Sequence, residues 1–244
     1  MRRLPHPPKF YQALREAAAR SETGLYLIEG PKLIQEALST LPQESFHAIL
    51  WRKDEEPPFP VPSDLLYAVT PFIIERITTL DTAPPGIAIA YQAPHIPQPY
   101  ETPALFLEGL QDPGNVGTII RLAEWFGIRA LWLSPESVDP FHPKVVRASM
   151  GSFFRVAIAR INAWEKLLST FSGSIALATL QGHSPKEINW ARIDALYLGS
   201  EGQGARQAPP NAIPVYIPRT PSARAESLNV ATAAAILLYC WRGL

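Results

Sequence analysis

Asp112-Pro113-Gly114-Asn115-Val116-Gly117-Thr118-Ile119-Ile120-Arg121 follows the apolar run Ala104 to Leu107 and reads as the start of a helix. Asp112 and Pro113 are a cap and first-turn pair. Val116, Ile119, Ile120, Ala123 and Phe126 then recur at core-facing spacing. That pattern leaves Gly114, Gly117, Thr118 and Arg121 for the opposite face. Two glycines one turn apart remove bulk beside a guanidinium, so a substrate backbone or phosphate can approach a fork of donors. Standing alone, the same residues are equally a surface helix carrying one exposed arginine.

The same strand-then-helix grammar extends outward. Apolar runs at Ala104 to Leu107, Ala130 to Leu133, Val156 to Ala159, Ile175 to Ala178, Ala195 to Leu198 and Val215 to Ile217 alternate with helical segments. Continuous apolar runs separated by helices predict a mostly parallel sheet covered on both faces. Such sheets bind ligands at the carboxyl ends of their strands. Two further polar, glycine-rich stretches fall at those ends: Leu198-Gly-Ser-Glu-Gly-Gln-Gly204, and Ile217-Pro218 followed by Glu226-Ser-Leu-Asn-Val230. The three stretches together predict one composite site. The second has the spacing G-x-x-G-x-G, which differs from the dinucleotide fingerprint, and G-x-x-x-x-G-K-[ST] is absent from the chain. Glu201 is either an acid or base, or a carboxylate that fixes its loop through backbone N–H groups, the role favoured here. Ser227 and Asn229 precede a helix rich in alanine and serve equally as caps or as site residues.

The N-terminal part has a different texture. A helix over Phe10 to Arg20, a strand at Leu25 to Ile28, a helix opened by Pro31, strands near Phe46 to Trp51 and Leu65 to Val69, a helix after Thr70-Pro71 and a strand at Gly86 to Tyr91 make a small α/β unit. Ala93 to Pro103 has four prolines and no apolar period, so it is read as an extended linker. This divides the chain into a small α/β domain over residues 1–95, a linker over 96–103 and a larger α/β domain over 104–244.

Composition adds limits. With 244 residues, 47% of them hydrophobic, the chain can build a substantial core. Lys plus Arg and Asp plus Glu balance at 22 each, so any nucleic-acid contact must use local patches. Lys144 and Arg147 share a helical face, with Arg155 beyond, and Arg2, Arg3, Lys9, Arg15 and Arg20 form a second basic group. Either group is a phosphate contact or a solvated face. One cysteine, Cys240, allows no intramolecular disulfide and fits a reducing cytoplasm. The apolar run Ala231 to Trp241 is shorter than the roughly 20 residues that span a bilayer, and no signal core follows Met1. The chain is therefore read as cytoplasmic and without a membrane. No His/Asp/Glu ligand set stands out, and no metal is expected.

DPGNVGTIIR, then RASMGSFFRV from Arg147 to Val156, GSEGQG, and IP with ESLNVATAAAILLY resemble the signature motifs of the SpoU/TrmH branch of SPOUT RNA methyltransferases, in order and spacing. Leu27 to Ala37 and Pro85 to Ala90 are similar, more weakly, to the substrate-binding domain that often precedes that catalytic domain. The resemblance implies a small α/β RNA-binding domain followed by a parallel-sheet domain tied in a deep trefoil knot. It also implies a homodimer that takes S-adenosylmethionine and methylates a ribose 2′-oxygen of RNA, rRNA before tRNA. By the same likeness Asn115, Arg121, Ser227 and Asn229 are catalytic positions. Gly199, Gly204, Ile217 and Leu228 hold the cofactor, with Thr179 and Leu180 at an earlier strand end. Lys144, Arg147 and Arg155 are the residues expected to take RNA. The third motif departs from the family: Ile217-Pro-Arg-Thr-Pro-Ser-Ala-Arg-Ala225 is about two residues longer and carries Arg219 and Arg224. A non-catalytic RNA-binding relative, or a base-methylating enzyme of the superfamily, stands as the alternative.

Overall fold

The computed structural model describes residues 3–92, 97–98, 101–200 and 202–243. Its elements in chain order are α1 (Pro8–Ala13), α2 (Ala17–Thr23), β1 (Leu25–Glu29), α3 (Pro31–Thr40), β2 (Phe46–Arg52), β3 (Leu66–Val69), α4 (Pro71–Ile77) and β4 (Gly86–Tyr91). There follow β5 (Ala104–Leu107), α5 (Pro113–Trp125), β6 (Ala130–Leu133), α6 (Pro143–Ala148), β7 (Ala157–Arg160) and α7 (Trp164–Thr170). The chain ends with β8 (Ile175–His183), β9 (Ala195–Leu198), β10 (Ile213–Val215) and α8 (Val230–Arg242).

The sequence reading cuts the chain once, at the linker. The chain instead forms two compact units that exchange a segment: Met1–Ala93 groups with Phe141–Arg155, and Pro94–Pro140 groups with Val156–Leu244. In the first unit the sheet order is β1-β4-β2-β3, with β4 antiparallel to both β1 and β2 and β3 parallel to β2. The segment that carries α6 is held to this unit by packing and charge. Tyr26 packs on Phe141 and Phe153, with ring centroids 5.1 and 5.8 Å away. Arg147 meets the Glu29 carboxylate at 2.9 Å, and that side chain is 1% exposed. Glu29 also accepts from the hydroxyls of Thr78 and Thr79 and from the Thr79 amide. Arg155 reaches Glu36 at 2.9 Å across the surface. Two of the three cations expected to take RNA thus spend contacts on binding α6 and its flanks to the first unit.

The helix predicted over Phe10 to Arg20 is two helices, α1 and α2. The break at Leu14 to Glu16 frees carbonyls that a buried cation satisfies: Arg20, 1% exposed, donates to Leu14 O at 2.9 Å and Arg15 O at 2.7 Å. Arg15 in turn donates to Ile77 O at 3.0 Å and to Thr78 O. Arg15 and Arg20 therefore stitch the unit together, whereas Arg3 and Lys9 are exposed, and Arg2 lies outside the described residues.

A β-bulge between Phe46 and Ala48 leaves His47 without a sheet partner and re-aims its ring. It lies 3.3 Å from the Tyr91 hydroxyl and 3.4 Å from that of Tyr11, stacked on His6. Burial, and then the neighbouring His6, lower its pKa below the ordinary 6.5. With a depressed folded pKa, the unfolded chain protonates first, so the contribution is full above about 6.5 and is lost as pH falls below it. We expect this protein to melt lower around pH 5 than at neutrality, and His47→Gln to shrink that difference in a pH series of thermal scans. An unaltered pH dependence in the variant would contradict this.

The second unit holds a six-stranded, wholly parallel sheet in the order β10-β8-β9-β5-β6-β7. Its central strands β5, β6 and β9 are buried at every position, as continuous apolar runs require when both faces are covered. Phe106, Trp132, Trp164 and Tyr197 pack together on one face. Three strands differ in their limits from the sequence reading: β7 is Ala157–Arg160, β8 runs on to His183, and β10 is Ile213–Val215. The last two differences share a cause. Pro214 lies in an edge strand, where a missing N–H is tolerated, and β8 bulges at Gly182 to pass beside it. Gly182 has φ +141°, and a Cβ there would meet the Pro214 carbonyl at 2.5 Å. Among the described residues no helix is long and apolar enough to cross a membrane.

Candidate active site

From β5 the chain steps to β6 and β7 on one side, then crosses to lay β8, β9 and β10 on the other. The switch in direction falls between β5 and β9, and ligand crevices in open parallel sheets form outside the carboxyl ends at such a point. A cleft of about 520 Å³ lies there, lined by Asp112 and Asn115 of the first motif, Ser200 and Gly202 to Gly204 of the second and Val230 of the third. Residues from all three stretches therefore meet at one cleft, the third contributing Val230. Glu108, Glu136 and Arg206, which the sequence reading did not single out, line it too.

Each wall has a local cause. After β5, the turn through Gly109 (φ +66°) is held by two buried serines: Ser134 accepts from the Gly109 amide at 2.9 Å, and Ser137 from that of Leu110 at 3.2 Å. Asp112 Oδ1 then accepts from Gly114 N at 2.7 Å and starts α5. After β9, Ser200 and Gly204 exchange backbone hydrogen bonds of 3.1 and 2.9 Å, closing a tight loop. Gly199 makes that loop possible, because a Cβ there would lie 2.2 Å from Ala205 N and from the Gly204 carbonyl carbon. Glu201, within the same loop, lies outside the described residues.

The third wall joins the first. Asn229 Oδ1 caps α8 by accepting from Ala231 N and Thr232 N, while its Nδ2 donates to Asn115 Oδ1 at 2.9 Å. Asn229 is thus a cap whose side chain also reaches Asn115, a residue of the cleft lining. We expect Asn229→Ala to cost about 1 kcal/mol of stability through the lost cap. Asn229→Asp keeps the accepting oxygen and should unfold like the wild type while losing the donor to Asn115. Equal melting temperatures for Asn229→Ala and the wild type would contradict the capping assignment.

The remaining predicted residues divide. Asn115 and Gly204 line the cleft, and Gly199 shapes it. Arg121 is exposed on α5, outside the lining, and has no hydrogen bond or ion pair among the described residues. Gly117, expected on the open face with it, is buried instead. Ser227 is exposed, Ile217 is half-buried, and neither belongs to the lining. Leu180 and Leu228 are 73% and 47% exposed, apolar surfaces of the kind an adenine ring covers. Thr179 donates to the Gln181 carbonyl and fixes the β8 bulge. Lys144 is exposed at the start of α6, which His142 caps. Among the described residues no three His, Cys, Asp or Glu side chains group as a metal site would.

Beneath the cleft, Tyr197 donates to Glu108 at 2.9 Å and accepts from Trp164 Nε1 at 3.3 Å. Burial first, and then the hydrogen bond to Glu108, raise the Tyr197 pKa, so its phenol stays protonated. The cleft thus combines bare backbone amides, hydroxyl and amide side chains, and carboxylates. That donor and acceptor set fits a nucleoside-bearing ligand with cationic groups.

A parallel α/β sheet with a glycine-lined crevice over its carboxyl ends defines the class: an enzyme scaffold for a nucleoside cofactor. The SpoU rRNA Methylase family model matches residues 103–239. The 23S rRNA (guanosine(2553)-2'-O)-methyltransferase RlmP of Bacillus subtilis is 32% identical over 245 residues, covering 96% of this chain and 95% of that protein. A putative RNA methyltransferase of the TrmH family from Porphyromonas gingivalis superposes with a TM-score of 0.85 at 35% identity, covering 100% of this chain and 99% of that one. An AdoMet-bound rRNA methyltransferase from Sinorhizobium meliloti does so with a TM-score of 0.80 at 29% identity, covering 100% and 97%. This chain belongs to the SpoU rRNA methylase family and is an S-adenosylmethionine-dependent RNA methyltransferase.

Proposed function

We propose that this enzyme methylates a ribose 2′-oxygen, and that its substrate is ribosomal RNA. The observation that carries the reading is the Asn115–Asn229 hydrogen bond of 2.9 Å beside a cleft whose lining includes Gly109, Gly202 and Gly204. Those two amides join the first and third motifs where a sugar edge needs orienting donors and acceptors. A relative that spans nearly the same length is named for a guanosine 2'-O position of 23S rRNA, which supports both parts of the proposal.

Bound S-adenosylmethionine supplies an electrophilic methyl group. Gly199 and Gly204 hold it through main-chain groups, with Thr179, Leu180, Ile217 and Leu228 covering its adenosine part. Asn115, Asn229 and Ser227 orient the ribose so that its 2′-oxygen is in line for transfer. As the O–CH3 bond forms the S–CH3 bond would break, S-adenosylhomocysteine would leave, and the hydroxyl proton would pass to solvent water. A guanidinium offers five N–H donors and no acceptor, so Arg121 acts by stabilising the developing alkoxide and positioning the adjacent phosphate. Being exposed and without a partner among the described residues, it is available to an RNA strand.

Residues 1–95 act as the RNA-capturing domain, 96–103 as the linker and 104–244 as the catalytic domain, with the α6 segment of the last packed into the first unit. Lys144, exposed at the start of α6, is proposed to contact phosphate together with Arg147 and Arg155. The enzyme works as a homodimer. Ile236 and Tyr239 share one face of α8, and Trp125, 82% exposed, stands at the end of α5. The Arg242 side chain meets the Phe126 carbonyl, which brings those two helix ends together and makes one apolar surface suited to a second copy. The longer return from β10 to α8 is threaded as a trefoil knot.

The test is incubation with methyl-labelled S-adenosylmethionine and separated ribosomal and transfer RNA. Label in ribosomal RNA supports the proposal. Label confined to transfer RNA, or in neither, contradicts it.

A further inference from the structure

The proposed chemistry gives the cleft donors and orienting amides but assigns no acceptor to the cofactor itself. Glu108 stands one residue past β5, at the switch point, and is 4% exposed while lining the cleft. Its Oε2 receives three hydrogen bonds: from the Tyr197 hydroxyl at 2.9 Å, Arg206 N at 2.8 Å and Gln207 N at 3.3 Å. Those bonds explain one oxygen. They tie the exit of the glycine loop to the end of β5.

Oε1 is different. No hydrogen bond reaches it among the described residues. Nor is it sealed away, because Trp51 Nε1 is the fully enclosed side-chain polar atom that lacks a partner among the described residues. A carboxylate oxygen that is nearly buried, unbonded and part of a cleft wall is an acceptor held open for a ligand.

The surrounding charge indicates which ligand. Among the described residues Glu108, Glu136 and Asp112 line the cleft against the guanidinium of Arg206. An excess of carboxylates repels phosphate and attracts a cation. We infer that Glu108 Oε1 binds S-adenosylmethionine, accepting a hydrogen from its ammonium or its ribose hydroxyls. The inference rests on the reading that this cleft takes the cofactor, and it assigns to Glu108 a second task beyond anchoring the loop.

Glu108→Gln separates the two tasks. Its amide oxygen can turn to face the three donors and keep the anchor, which leaves an NH₂ donor where the cleft had an acceptor. Glu108→Ala removes both, and Tyr197→Phe removes one Oε2 donor without touching Oε1. Each protein is titrated with S-adenosylmethionine and with S-adenosylhomocysteine by calorimetry, melted without ligand, and tested for ribosomal RNA binding on filters. Glu108→Gln is expected to melt like the wild type, bind both small molecules about tenfold or more weakly, and bind RNA unchanged. Tyr197→Phe should keep the wild-type affinity for both small molecules, and Glu108→Ala should lose affinity and melt lower. Wild-type cofactor affinity in Glu108→Gln overturns the proposal and leaves Glu108 as an anchor. A loss in Tyr197→Phe equal to that in Glu108→Gln does the same. Weakened RNA binding with intact cofactor binding in Glu108→Gln would move the acceptor to the RNA and also overturn it. A wild-type protein that binds no S-adenosylmethionine would reject the underlying reading of the cleft as well.

Discussion

Arg121→Ala is expected to lower methyl transfer to RNA by roughly 100-fold or more while leaving the affinity for S-adenosylmethionine within about twofold. The separation follows from where the side chain stands. Arg121 lies on α5 outside the lining of the cleft, so its removal takes nothing from the walls that hold the cofactor. It is exposed and makes no hydrogen bond or ion pair among the described residues, so no packing or buried charge is disturbed. Under the proposed role, what disappears is a cation beside the ribose when charge builds on its oxygen, an interaction stronger in the transition state than in the ground state. Arg121→Lys restores charge but not the planar fork, and should recover only part of the rate. A proportional loss of cofactor binding and turnover in Arg121→Ala would remove this residue from the chemical step.

Gly199→Ala is the other change with a large expected effect. Its Cβ would enter within 2.2 Å of Ala205 N and the Gly204 carbonyl carbon, and both neighbours are backbone of a loop already closed by two hydrogen bonds. Nothing flexible is available to move aside. The loop must open, the amides that hold the cofactor scatter, and calorimetry should register a loss of affinity of about 100-fold or more, with a stability cost of about 1–3 kcal/mol. Gly204→Ala is the informative companion. It has open space for a Cβ but a φ of +65°, so the expected cost is only about 1 kcal/mol and the cofactor still binds. If the two variants behaved alike, close backbone approach at Gly199 would not be the reason for glycine there.

These effects also mark what the sequence made legible. The central strands were readable because four-residue apolar runs bounded by turn residues are too short for helices, and the cap at Asp112 because its acceptor acts two residues away. Asn229 was only half readable: its capping role is local, whereas its bond to Asn115 joins residues 114 positions apart. Glu108 was missed because its partners, Tyr197 and the Arg206 and Gln207 amides, come from the far strand and loop. Its one local sign was an acidic residue directly after a buried strand at the switch point. The break between α1 and α2 was hidden for a similar reason, since Arg20 reads as a solvated cation until its carbonyl acceptors are known. Likewise α6 reads as part of the catalytic domain by position, yet Arg147 and the ring packing at Tyr26 group it with the first unit.

The account stands most directly on which atom receives the methyl group. Ribosomal RNA methylated by the pure enzyme can be digested to nucleosides and fragmented in a mass spectrometer, which separates sugar from base. The added mass of one methyl is predicted on the sugar fragment, in a dinucleotide that survives alkali. A methyl carried by the base fragment, with every linkage still cleaved by alkali, would contradict the account.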